Sequence, residues 1–423
     1  MIANGRTPSR QWASGTDRML AGARFVALFG ELDVPHTSVL EEALARIAMA
    51  GPHTRVALDP HPATRLWRYA PSELVAVREL PRSVVAAGKT AVLQHIRRRP
   101  GARAALEIHA SERHIALDVD HGLGDARFAL ELIGALFDHS GGRMSRWTTD
   151  NDTPLALLRS VIRTFGANPH WARPAVRYAA EQRFQRPADS GGADDPVPWS
   201  PSFAVRIAHI DADAEAAVHD WRSAQADTPG SAAVWLYIVR QALQAAGLSM
   251  TDRVMTAFDC RRYLARRQRA NGNFIIGLEV PFASDDTLPA VSARVRDLVM
   301  AAVPLAGMAV VSARAMLPFG RGPFGPTRTY RPGAPAHVMY SDLGTVRMID
   351  DAPWRMGGDR SLTALLDTAG PHAVTVLNSR IGDTRNISIS FNDNAVESDT
   401  IDRAVRYLAD PMRFLPLATQ CPR

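Results

Sequence analysis

Apolar and polar positions alternate most cleanly over residues 114–120, where Ile115, Leu117 and Val119 share one face and Ala116 and Asp118 the other. A period of two predicts a strand. Residues 104–109 predict a second, and Ala110, Ser111, Glu112 and Arg113 make the turn between them. Upstream, RFVALFGEL over 24–32 predicts another strand. Leu40, Ala43, Leu44, Ile47 and Ala48 fall on one face of a helix over 39–50. Residues 55–58 and 66–69 are short candidate strands among prolines, and 83–98 has the helical period. A helix over 126–138 follows the hairpin and ends at Gly141 and Gly142.

The second half repeats the mixture. Strands are expected at 203–210, 253–258, 273–280, 338–340, 372–378 and 386–391, and helices at 232–246, 288–302 and 398–408. Residues 317–335 carry Gly320, Gly322, Gly325 and Gly333 among prolines and read as a loop. The stretch 186–202 is rich in Pro, Gly, Ser and Asp and reads as a linker. The expected organisation is a flexible arm over 1–20, an N-terminal lobe over 21–185, the linker, and a C-terminal lobe over 203–423. Helices and strands mixed in both halves indicate an α/β or α+β fold.

Composition narrows the classes. The chain has 423 residues, 46% of them hydrophobic and 22% charged. That excludes a wholly disordered chain and exceeds one ordinary core, so two lobes of about 200 residues each are expected. The net charge is +6, carried almost wholly by arginine, since Lys89 is the single lysine. Arg97, Arg98 and Arg99 form one dense run; Arg261, Arg262, Arg266, Arg267 and Arg269 form another. Each is either a solvated helix face or a landing site for an anionic partner. No interleaved aromatics or zinc-finger spacing point to nucleic acid. Two cysteines, Cys260 and Cys421, cannot build a disulfide framework or a cysteine metal site. The first 16 residues lack the apolar core of a secretory signal, and no apolar run reaches the roughly 18 residues of a membrane span. A cytoplasmic protein is expected.

One stretch carries chemistry: Val119-Asp120-His121-Gly122-Leu123-Gly124-Asp125-Ala126-Arg127-Phe128. It sets a histidine at the end of a buried strand, then a turn in which Gly122 and Gly124 allow backbone angles closed to other residues. Asp125 follows at a helix start, where it can cap the first turn. A strand end holds an imidazole firmly, as a general base requires. By itself the pattern also fits a core histidine and a capped helix.

The stretch resembles the HHxxxDG motif of nonribosomal peptide condensation domains. It also resembles the looser HxxxD of chloramphenicol acetyltransferase, plant acyltransferases, wax-ester synthases and polyketide-associated acyltransferases. Further pieces are similar and fall in the same order. Phe258-Asp259-Cys260-Arg261-Arg262-Tyr263-Leu264 with Asn271-Gly272-Asn273-Phe274 looks like the second-lobe strand and GN(F/Y) element of that superfamily. Tyr340-Ser341-Asp342-Leu343-Gly344 is similar to its SNLG turn, and 386–391 with the following helix to its closing strand and helix.

The resemblance implies two similar lobes, each a mixed sheet with flanking helices, meeting in a V around a central tunnel. It implies acyl transfer from a thioester, coenzyme A or a phosphopantetheine arm on an acidic carrier protein, to a small-molecule alcohol or amine. No permanently bound cofactor, metal or covalent enzyme intermediate is implied. Two lobes can complete a site within one chain, which permits a monomer. Carried over by position, His121 matches the general base and Asp125 the aspartate that orients the loop through a second-lobe arginine. Arg261 is the first choice for that arginine and Arg262 the second. Two positions depart from the pattern. Asp120 stands where condensation domains have their first histidine. Ala126 stands where glycine is usual, and its methyl is expected to crowd the base and disfavour positive φ. A free-standing condensation enzyme and a catalytically silent recruitment module are the alternative implications.

Other constellations carry less. Gly320 to Gly325 lacks the Lys-Ser/Thr of a phosphate loop. Asp211 is expected to cap a helix. Cys260 lacks an activating base and is expected to pack in the core. His109 and His114, near a strand turn, are expected at the surface.

Overall fold

The computed structural model describes residues 10–184, 195–316 and 329–416. The start of the expected arm, most of the linker, Gly320, Gly322, Gly325 and Cys421 lie outside the described residues.

Two mixed sheets organise the chain. The first has five strands in the order Ser361–Leu366, Arg24–Gly30, His114–Asp120, Leu106–Ala110 and Arg78–Glu79. All neighbours are antiparallel except the last pair. The second has six: Ile275–Pro281, Met250–Asp259, Ala336–Thr345, Ala373–Ile381, Thr384–Asn392 and Phe203–Ile210. Ala336–Thr345 pairs in parallel with both its neighbours, and the other pairings are antiparallel.

The alternation over 114–120 resolves as expected, and both faces of the strand are covered. Ile115, Leu117 and Val119 pack with Leu40, Leu44 and Ile47 of the helix Thr37–Met49 and with Leu132 and Leu136 of the helix Ala126–Ser140. The opposite face is also covered. Ala116 packs with Leu93, Ile96 and Val205, and the fully buried Asp118 receives Arg24 and Arg103, each at 2.8 Å. A buried carboxylate is tolerated because two guanidiniums complete its hydrogen bonds.

The first sheet takes its edge strand from the second half of the chain. Ser361–Leu366 pairs with Arg24–Gly30, setting Leu362 against Phe29 and Leu365 against Val26. Two of its other amides donate to buried hydroxyls of the second sheet, Ala364 to Ser388 at 3.1 Å and Leu366 to Ser390 at 3.0 Å. This strand therefore joins the two sheets. Residues 10–20, expected within a flexible arm, instead form the strand Arg10–Trp12 and the helix Gly15–Leu20. A reciprocal cap between Ser14 and Asp17 starts that helix.

The helix expected over 83–98 is two, Arg82–Ala86 and Lys89–Arg98, because Gly88 between them has φ 94°. Likewise 288–302 is Leu288–Met300, followed by an unexpected helix Val303–Ala315. Among the described residues no single helix is long and apolar enough to cross a membrane.

Candidate active site

The turn after the strand His114–Asp120 places every residue of the motif. The strand ends where the His121 amide donates to Ala23 O at 2.8 Å. Asp120 then bridges two turns, its carboxylate accepting from Gly122 N at 2.8 Å and Gly22 N at 3.1 Å. Burial raises the Asp120 carboxyl above its ordinary value, a rise opposed by those two amides and by Arg24. Neither Gly122 nor Gly124 has positive φ, so the expected conformational reason for glycine is wrong. Close approach is the reason. A Cβ on Gly124 would lie 2.4 Å from Phe128 Cβ, and one on Gly122 2.9 Å from Asp120 Oδ1.

Asp125 caps the helix Ala126–Ser140 by accepting from Arg127 N at 3.1 Å. The same carboxylate takes a fork from Arg261, at 2.8 and 3.2 Å, and Phe274 N at 3.1 Å. Burial alone would raise the Asp125 carboxyl. The Arg261 charge and these hydrogen bonds overcome burial and hold it below its ordinary value. Arg261 also donates to Ala270 O and Gly272 O. The exposed Arg262 takes no part in the pair. Ala126 is the first residue of the helix and needs no positive φ, so its methyl does not strain the backbone as expected.

A second set of side chains holds the turn from its other side. Arg55 Nε donates to Leu123 O at 2.5 Å and its Nη2 to Gly122 O at 3.0 Å. Asn273 Nδ2 donates to His121 O at 2.7 Å. Asp17 joins the two, meeting Arg55 at 3.0 Å and accepting from Asn273 N at 2.9 Å and Nδ2 at 3.1 Å. Three successive carbonyls, of His121, Gly122 and Leu123, thus each receive a donor from a distant segment. Gly272 is required beside them, because its Cβ would lie 2.9 Å from Arg55 Cζ.

Sequence reasoning missed Arg55 and Asp17 and gave Asn273 no role. The available signals were the Ser14–Asp17 cap and the Gly272-Asn273 pair. Nothing local marks Arg55.

His121 itself is half-buried. Its ring meets Phe25 edge-on with centroids 5.2 Å apart, and Nδ1 is buried without a hydrogen-bond partner. A histidine fixed through its backbone, with its ring against an apolar edge, can exchange a proton with a bound molecule.

No protein-family model matches the sequence, and no curated protein sequence does. Solved structures do match. One is TRI3, a trichothecene 15-O-acetyltransferase from Fusarium sporotrichioides, at 12% identity over 96% of this chain and 94% of that one, with TM-score 0.60. Another is a condensation domain of chain release from the enacyloxin polyketide synthase, at 16% identity over 100% and 87%, with TM-score 0.54. A third is TRI101 from F. sporotrichioides, solved with coenzyme A and T-2, at 13% identity over 93% and 96%, with TM-score 0.57. The fold is that of these acetyltransferases and condensation domains.

Within this acetyltransferase and condensation fold, the other sequence candidates fall away from His121. Tyr340 and Asp342 belong to a buried network of the second sheet. Tyr340 Oη donates to Asp342 at 3.0 Å, and Asn378 Nδ2 donates to the same carboxylate at 3.1 Å. Asn378 in turn accepts from Arg385, which pairs with Glu215. Among the described residues no hydrogen bond or ion pair joins this network to His121.

His109 and His114 are buried, contrary to the surface expected. Burial pushes the His109 imidazole down to about 4, and lowers His114 as well. Cys260 is buried and burial raises its thiol, which suits packing. Asp211 caps the helix Ala212–Ser223 as expected. Among the described residues no cluster of His, Cys, Asp and Glu could hold a metal ion.

The basic runs serve different ends. Arg97 pairs with Asp367 at 2.6 Å and lies over the Phe203 ring, and Arg98 pairs with Asp393 at 2.7 Å. Arg97 and Arg98 therefore tie the two halves of the chain together, while Arg99 pairs with Glu107 within the first. The second run borders a polar cleft of about 680 Å³ lined by Arg127, Arg261, Arg266, Arg267 and Arg269. Arg261 and Arg269 are paired with carboxylates. Arg266 and Arg267 are exposed and form no ion pair among the described residues. A second, apolar cleft of about 720 Å³ has Asn273 in its wall. His121 lines neither cleft.

Proposed function

We propose that this protein is an acyltransferase that moves an acyl group from a thioester to a hydroxyl or amine, with His121 as general base. The observation that carries the reading is the double fastening of the histidine turn. Asp125 and Arg261 lock one side, and Arg55, Asn273 and Asp17 lock the other, so the imidazole is carried on a fixed backbone with its ring against Phe25. Proton transfer needs such a fixed base, since misplacement by about 1 Å can cost about 10²-fold in rate.

In the reaction, the imidazole removes the acceptor's proton as the acceptor oxygen or nitrogen attacks the thioester carbonyl. The tetrahedral oxyanion collapses, the C–S bond breaks, and the departing thiolate takes the proton back from the imidazolium. No bond forms between enzyme and acyl group. Asp125 stays ionised throughout, and its part is to hold the turn.

The donor is an acyl-coenzyme A or an acylated phosphopantetheine on an acidic carrier protein. Both are anionic, and Arg266 and Arg267 at the polar cleft offer unpaired guanidiniums for phosphate. The solved condensation-domain neighbour keeps a second reading in view, condensation between carrier-bound units.

One experiment separates these readings. Acyl-coenzyme A and acyl-carrier thioesters are offered to the protein with pooled alcohols and amines, and products are read by intact mass. Acyl transfer predicts an acceptor-dependent ester or amide, and the donor that supports it names the class. Binding of acyl carrier without turnover would instead mark a silent recruitment module and overturn the enzyme reading.

A further inference from the structure

The helix Ala156–Ala167 packs its small side inward and leaves its large apolar side outside. Ala156, Ser160 and Thr164, spaced four apart, are its buried residues. Leu158 and Ile162 lie on the opposite side of the helix and are 51% and 63% exposed. Leu155, just before the helix, is 70% exposed. Single exposed apolar side chains are ordinary, but a contiguous row marks a contact surface. A surface helix normally turns such a row toward the core. Leu155 and Leu158 also line the apolar cleft of about 720 Å³, together with Trp12, which is 54% exposed, and the exposed Ala313 of the helix Val303–Ala315. The apolar strip thus extends from the helix onto its neighbours.

The charge around this strip has one sign. Residues 153–178 carry Arg159, Arg163, Arg173 and Arg177 and no Asp or Glu. Arg159 and Arg163 are exposed and flank the apolar row. Arg163 donates to Tyr263 O, and Thr153 N donates to Arg269 O. These bonds set the second basic run beside the same helix, within residues 260–278, which hold five arginines and again no Asp or Glu. The carboxylates next in sequence are already engaged, Asp150 by Arg269, Asp259 by Arg261 and Asp152 by Asn271 N.

We propose that this face docks on an anionic lipid bilayer. The apolar row enters the boundary between headgroups and acyl chains, the flanking arginines meet lipid phosphates, and Trp12 sits at headgroup depth. The contact is peripheral, with the helix in the plane of the membrane surface. A second copy of the chain fits the face poorly. A two-fold interface sets a patch against itself, so arginines would meet arginines, with no Asp or Glu in either segment to pair them. An acidic protein would match the arginines, but a protruding apolar row needs a matching groove in a protein partner, whereas a fluid bilayer closes around it.

The test floats the full chain with vesicles of phosphatidylcholine and phosphatidylglycerol in equal parts, and with vesicles of phosphatidylcholine alone. The expected result is partitioning onto the anionic vesicles at least tenfold stronger than onto the neutral ones, weakened by added salt. Leu158→Glu combined with Ile162→Glu, both at exposed positions, lowers it at least tenfold. Leu158→Ser combined with Ile162→Ser lowers it several-fold without adding charge, which separates lost apolar contact from repulsion. Arg159→Gln combined with Arg163→Gln also lowers it several-fold. Arg82→Gln combined with Arg113→Gln removes the same charge at exposed sites beside the turn 110–113 and leaves it unchanged. The proposal does not rest on acyl transfer, so His121→Ala floats as the wild type does. Absence of binding to the anionic vesicles, or wild-type binding in both the Glu and the Ser pairs, would overturn it. So would a dimer in solution, or capture of an acidic carrier protein, that depends on Leu158 and Ile162 while vesicles go unbound.

Discussion

At the scale of single residues, the molecule spends its buried charges on the backbone of one turn. Arg55 is the clearest case. It is 3% exposed, holds a left-handed backbone with φ 65°, and directs its guanidinium to two carbonyls beside His121. A buried arginine without these acceptors would be costly, so the contact is specific to this turn. Arg55→Met is expected to lower kcat at least tenfold with little change in KM, and Arg55→Lys to recover part of the loss. Equal loss in KM would contradict a positioning role. Arg261→Met leaves the Asp125 carboxylate buried and unpaired, and is expected to cost about 3–5 kcal/mol in chemical denaturation.

Acid stability follows from the same pair. The Asp125 carboxyl is depressed below its ordinary 3.8, so its contribution is fully present above that value and is lost as pH falls through the folded value. Stability measured from about pH 5 down to about pH 2 is expected to fall more steeply in the wild type than in Asp125→Asn. The sequence disclosed the Asp125–Arg261 pair through resemblance alone, and the structure shows it. It could not disclose Arg55 or Asp17, which lie 66 and 104 positions before His121 and belong to no periodic pattern around it.

At the scale of elements, the strand, turn and helix about His121 were legible because each has its own local signal. Alternation marks the strand, the glycine pair marks the turn, and Asp125 marks the helix start. The reason for the glycines was not legible, since steric contact with Phe128 depends on the folded helix. Gly124→Ala is therefore expected to lose about 1–3 kcal/mol by overpacking and to reduce activity. Ala126→Gly is expected to lose up to about 1 kcal/mol of helix stability and leave kcat unchanged. A large rise in kcat for Ala126→Gly would show that the methyl obstructs the base after all. The edge strand Ser361–Leu366 escaped notice for a different reason. Five of its six residues are buried, and its alternation runs only from Ser361 to Ala364 before Leu365-Leu366 breaks it. The helix Val303–Ala315 is apolar almost throughout and has no polar face to reveal its period.

At the scale of the whole molecule, the two halves of the chain are fastened together. The strand Ser361–Leu366 joins the sheets, and Arg97 and Arg98 reach Asp367 and Asp393. Of the second basic run, Arg266 and Arg267 line the polar cleft and form no ion pair among the described residues. Arg266→Glu combined with Arg267→Glu is expected to raise the KM for an anionic donor several-fold and leave kcat unchanged, with an effect that shrinks as salt rises. The general class of fold was legible from mixed strands and helices in both halves, and the resemblance carried by the order of its weak motifs pointed to the acetyltransferase and condensation fold. The crossing of a late strand into the first sheet was not, because pairing partners hundreds of residues apart leave no local trace.

The most direct test of the account is the rate of thiol release from the acyl donor that the thioester panel selects, measured with and without acceptor for wild type and His121→Ala. The account predicts acceptor-dependent release in the wild type and a fall of at least about 10²-fold in the variant, the usual worth of a positioned general base. Release that continues at the wild-type rate without His121 would contradict it.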